Sequence, residues 1–415
     1  MCDPTLVTRF AWTCIIGLLL LVLPSAPICA QPAPPVGTWV ELPNTALWPA
    51  LPPETKSSSD SGGKPELWSP FSPMAAFSGG DIAQLDGIWG FLIWGGGHGD
   101  GADNSLYFIP FDGSGPRALT GPYLAPAGVS YFGGGETYLG VSRNQPPTMA
   151  PGLAPKARHT YSSILALRDR RLAWAYGGSL TSGSGGGTDA TRTFDLTQTR
   201  AQAMSRPDMG WERPALAPGL SVASSSGYDE KKRVVVTRGV NFWGVYNPDT
   251  KTWSRVGDSW GGSDFSASVA VDSEGRKMWV LGSTIGEVID LDSYRVTQFM
   301  RKLGGDVPPP WSYSTASGYD WAKIFQNAAA APGVAWHPRT RQLVVWLGGN
   351  NLNLVDPVAN TTRTVPMAGA TVTAPARAGT YGRFRLIPGT DTVVVVNSVD
   401  QPVFLGSVPF DRPPR

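Results

Sequence analysis

Short apolar runs alternate with charged turns along this chain, and one arrangement of the two recurs six times. A charged turn leads into an apolar strand that closes on glycine or another small residue. It reads LDGIWGFLIWGGG to Gly97, LRDRRLAWAYGG to Gly178, YDEKKRVVVTRG to Gly239, VDSEGRKMWVLGS to Ser283, HPRTRQLVVWLGG to Gly349 and IPGTDTVVVVNS to Ser398. A second short strand follows each, mostly with an acidic or Asn turn, as in SLYFIPFDG, WGVYNPDTKTW and LNLVDPVANTT. A unit that cannot bury its own face must stack on copies of itself. Units of about four strands joined by Gly-rich loops predict an all-β fold, a β-propeller.

Six repeats predict six blades, starting near residues 75, 159, 220, 265, 333 and 380. The segment GTWVELP at 37–43 matches the fourth strand of a blade, whereas the last repeat ends near Phe410 without one. The N-terminal strand is therefore expected to complete the C-terminal blade, closing the ring and removing two free sheet edges. Three insertions interrupt the pattern: a Ser/Pro/Gly-rich stretch at 49–72, and aromatic-bearing loops at 121–157 and 303–331. Within the last, DWAKIFQNAAAA has the composition of a short helix.

Composition fits one large ring rather than several domains. Gly (50) and Pro (38) make up about a fifth of 415 residues, so turns dominate. A formal net charge of +2 argues against a protein that coats nucleic acid. Residues 1–30 read as a secretory signal: Arg9, an apolar run from Phe10 to Leu23, then Pro24 and small residues up to Ala30. The run is short for a membrane span, and no later segment approaches about 20 apolar residues. Residues 31–415 then form a single propeller domain in a secreted or periplasmic protein, read as a monomer with no membrane span after signal removal. All three cysteines (Cys2, Cys14, Cys29) fall inside the signal, so the mature chain has no disulfide, no thiolate metal site and no Cys nucleophile.

The elements IWGGGHGDGADNSLYFIPFDG, RHTYSSILAL, AYGGSLTSGSGGGTDATRTFDL and GRFRLIPGTDTVVVVNSVDQPVFL resemble bacterial secreted kelch-type propellers, the group often called galactose-oxidase-like. The resemblance spans nearly all of residues 37–408 and implies the fold. It does not imply one activity, because kelch propellers include oxidases, lyases, isomerases and binding modules. The copper radical chemistry of that wider group uses a Cys–Tyr crosslink, which a mature chain without cysteine cannot form.

Three histidines narrow the search for a site. His98 lies in the second-to-third-strand loop of blade one and His159 in the segment leading into blade two; propeller topology puts both on one face. His337 falls in a first-to-second-strand turn on the opposite face and is expected to be solvated. Around the first two gather Asp100, Asn104, Arg158, Tyr161, Asp189 (expected in a Gly-rich loop), Asp264, Arg383, Arg385, Asn397 and Asp400, from loops of blades one, two, four and six. Trp311, Tyr313, Tyr319 and Trp321, in a loop rather than a strand, are sugar-stacking candidates.

This set predicts recognition of an extracellular ligand, foremost a carbohydrate, on the face carrying His98 and His159. It also fits eliminative cleavage of an acidic polysaccharide, with His98 or His159 and Tyr161 as base and acid and Arg383 neutralising the uronate carboxylate. The other readings are a non-catalytic protein-binding scaffold and a metal-dependent hydrolase; a purely structural role for Arg158-His159-Thr160-Tyr161 is to hold adjacent blades together, with Arg158 paired to a carboxylate. No HxH or HExxH spacing supports a metal, the sequence leaves the cofactor unknown, and GSGGGTD lacks the Lys-Ser/Thr pair of a phosphate loop.

Overall fold

The computed structural model describes residues 33–51, 73–74, 77–96, 103–121, 154–180, 187–259, 265, 267–303, 312–315, 318–327, 331–373 and 379–410. Six antiparallel sheets stand in a ring around one axis, a six-bladed β-propeller. The innermost strands are Gly80–Leu85, Ile164–Leu167, Ser225–Asp229, Ala267–Asp272, Gly333–His337 and Phe384–Leu386. Each packs against the next, and the sixth packs back on the first.

The second strands show why these sequences form blades. In Ile88–Ile93 and the residue after it, Leu92 and Trp94 face blade two, while Phe91 and Ile93 face blade six. Side chains alternate between the two sides of a strand, so a strand buried on both sides reads as a continuous apolar run. Six hydrophobic clusters result, one between each pair of neighbouring blades. The charged turns are equally regular. Arg171, Arg233, Arg276 and Arg341 each immediately precede a second strand in blades two to five, and all four are left-handed, with φ of 53° to 58°.

The ring closes as the sequence predicts. Thr38–Glu41 pairs antiparallel with Phe404–Ser407 and serves as the fourth strand of blade six. Gly406 lies opposite Trp39 in the register, and a Cβ there would stand 2.6 Å from the Trp39 ring. Blade four gains a fifth strand, Ser312–Thr315, and the expected short helix follows as a 3-10 helix, Asp320–Asn327. Its Trp321 is 2% exposed and packs with Phe325 in the core between blades four and five. Trp321 is thus a core residue rather than a sugar platform. A helix absent from the sequence reading, Arg200–Met204, opens on a Thr199–Gln202 capping box in blade two. No helix among the described residues is long and apolar enough to cross a membrane.

Two faces follow from the strand directions. The upper face carries the segments leading into the inner strands and the second-to-third-strand loops. The lower face carries the first-to-second-strand turns. His337 ends an inner strand on the lower face but is 1% exposed, not solvated. Its Nε2 meets Asp391 Oδ1 at 2.8 Å, its Nδ1 accepts from the Thr340 amide, and its ring stacks on Phe410 at 4.0 Å. The chain beyond the last strand covers it, which a local reading of WHPRTR could not reveal.

Candidate functional site

At the upper end of the axis the blades converge. The parallel bridge Ser162↔Ser225 joins blades two and three. A Cβ on Gly79 would lie 2.0 Å from the Tyr161 carbonyl oxygen, and one on Gly382 would lie 2.4 Å from that of Gly80. Backbone thus meets backbone, and the opening left is filled by aromatic rings. Phe77, Tyr161 and Tyr381 each stand three residues before an inner strand, and each is left-handed, with φ of 48°, 46° and 51°. Bulky residues rarely hold that conformation, and they keep it only where packing compels it. Tyr161 lies 5.6 Å from Phe77 and 5.8 Å from both Tyr381 and Phe265. Phe265, two residues before the inner strand of blade four, is 42% exposed above this plug.

His159 belongs to the same cluster. Arg158–His159 forms a two-stranded ribbon with Ser179–Leu180, and the His159 ring is 4.9 Å from Phe77. Its Nδ1 is 3.4 Å from the Tyr161 hydroxyl, and both residues are 3% exposed. The remaining residues of RHTY join blades one and two. The Arg158 guanidinium lies 4.9 Å from the Trp94 ring and donates to the Gly177 carbonyl. Thr160 donates to the Trp94 carbonyl and accepts from the Gly79 amide. Asn104, fully buried, takes the Trp94 indole N–H on its carbonyl and donates to Pro155.

Arg383 sits beneath the plug, 1% exposed. Its guanidinium donates to the carbonyls of Ser78, Gly379, Val396 and Asn397, which ties blade six to blade one. Burial draws its pKa down to about 10, so the group stays charged at neutral pH. This placement makes it an internal strut, with four carbonyls where a uronate would have to bind. Arg385, deeper in the channel, pairs with Asp81 at 2.9 Å. Asn397 donates to Thr373, and Asp400 accepts from Ser398. Asp189 falls inside the third strand of blade two, Thr188–Asp195, rather than in a loop; burial raises the Tyr176 pKa, and the Asp189 charge adds to it. Tyr319 stacks face to face on Phe299 at 4.4 Å, away from the axis. His98, Asp100, Asp264 and Trp311 lie outside the described residues. Among the described residues no group of three His, Cys, Asp or Glu side chains converges as a metal site.

The structure thus brings His159 and Tyr161 together and adds Phe77, Phe265 and Tyr381. A signal for these three exists: an aromatic two or three residues before an inner strand, in FSGGDIAQL, FSASVAVD and YGRFRLI, as in YSSILAL. No protein-family profile and no curated protein matches this chain.

Proposed function

We propose that this protein is an exported, kelch-type binding propeller that recognises a carbohydrate at its upper face without turning it over. The aromatic plug supports the reading: Phe265, 42% exposed, stands over Tyr161, Tyr381 and Phe77 at the centre of that face. The exposed Phe265 ring offers a pyranose a flat stacking platform, with the buried Tyr161 ring packed beneath it. The commitment of Arg383 to four carbonyls favours binding over eliminative cleavage of a uronate. One contact favours cleavage as a second reading: the 3.4 Å approach of His159 Nδ1 to the Tyr161 hydroxyl, the geometry of a base and an acid.

A glycan array probed with the wild type and with Phe265→Ala tests the first reading. The wild type is expected to retain a defined sugar, and the variant to lose it at unchanged melting temperature. A wild type that binds no glycan overturns the proposal. Ultraviolet absorbance appearing on mixing with uronate polysaccharides replaces it with the lyase. For export, the expected outcome is a periplasmic or medium fraction whose N-terminus is Gln31.

A further inference from the structure

The channel that the plug closes at its upper end is open at the lower face. A cavity of about 440 Å³ runs down the axis and is lined by all six inner strands. Its blind end lies at Asp81 and Arg385, each the second residue of its inner strand. Its mouth lies at the turns and at Asp272, the sixth residue of the blade-four strand. Four residues of strand separate these levels, about 13 Å at about 3.3 Å per residue.

The wall chemistry is graded. Within its sheet each inner strand pairs only with its own second strand, so its other edge faces the axis, where Asp81 takes the Ile82 and Ala166 amides. Apolar side chains such as Val269, Ala270 and Val334 also line the wall. At the blind end Asp81 takes three donors: Oδ1 accepts from Ile82 N and Arg385 Nε, and Oδ2 accepts from Ala166 N. Beyond Nε, Arg385 makes only a 3.4 Å approach from Nη1 to the Phe384 carbonyl. Its remaining donors have no partner among the described residues. The blind end therefore offers donors. The mouth carries Arg168 paired with Glu230 and Lys231 paired with Glu274, and beside them Asp272, whose Oδ1 takes the Gly275 amide while its Oδ2 has no partner among the described residues.

We propose that this blind channel is a peptide socket. It takes an extended chain end of about four residues, carboxylate first onto Arg385, with main-chain groups paired to the inner-strand edges and the ammonium near Asp272. The closed end makes it a reader of termini rather than of internal segments.

Calorimetric titration of the full chain with tetra-alanine, its C-terminal amide and hexanoate tests this. The free acid is expected to bind saturably with Kd of about 1 mM or tighter. The amide is expected to bind at least about tenfold more weakly, because it forfeits the charge-assisted bonds. In the paired variant Asp81→Asn/Arg385→Gln, which leaves neither charge buried alone, the acid and amide should bind alike. Equal binding of acid and amide by the wild type overturns the proposal. So does hexanoate binding as tightly as the peptide, or no saturable binding of tetra-alanine. Should the paired variant fail to fold, the wild-type comparison decides alone.

Discussion

The Tyr381 hydroxyl, carried by the segment leading into blade six, donates to the backbone carbonyl of Phe265, which leads into blade four. One side chain thus bridges across blade five and helps seal the upper end of the axis. Tyr381→Phe keeps the ring and removes this bond. The expected cost is about 0.5 to 1.5 kcal/mol, read as a lower urea midpoint with unchanged slope.

Arg383 binds four carbonyls from three segments that are distant in sequence. Arg383→Met should cost at least about 2 kcal/mol, because buried carbonyls lose charged partners. Arg383→Lys should not restore stability, since one ammonium cannot reach oxygens arranged for a planar fork. Denaturant unfolding of both variants checks this, and full stability of the lysine variant would refute the strut.

Ring closure rests on Trp39, buried in the cluster between blades five and six, across from Gly406. Trp39→Ala is expected to cost about 3 to 5 kcal/mol. Removing residues 37–43 uncovers the edge of Phe404–Ser407 and should yield dimers or aggregates, seen by light scattering. A monodisperse monomer of full stability would contradict closure through this strand.

His337 is held neutral. Burial lowers its pKa more than Asp391 raises it, with Arg339 also lowering it and Thr340 and Phe410 completing its surroundings. The native state therefore binds fewer protons than the unfolded chain below about pH 6.5, the free imidazole value. Stability is full above that pH and falls as the solution is acidified through it. Urea midpoints at about pH 7.5 and 5.5 should differ for the wild type and converge for His337→Gln. An equal drop in both would assign the pH dependence elsewhere.

The repeat was legible because its cause is local and periodic. LAWAY, VVVTR and QLVVW are apolar on both sides of a strand, and each follows a charged turn. The unpaired GTWVELP likewise foretold closure, since a sheet edge needs a partner. The site was legible only in part. Tyr161 and His159 stand in one short segment, but the partners that give them their surroundings come from 77, 265 and 381. His337 was misread because its cover, Phe410, arrives from beyond the last strand.

By itself, the sequence determined the number of blades, the strand that locks the ring and which loops share a face. These follow from alternation, turn chemistry and strand direction, all short-range properties of the chain. Tertiary structure alone decided which end of the channel is sealed. That outcome depends on how closely six backbones approach at Gly79 and Gly382, and on three aromatic rings meeting on an axis that none of their sequence neighbours defines.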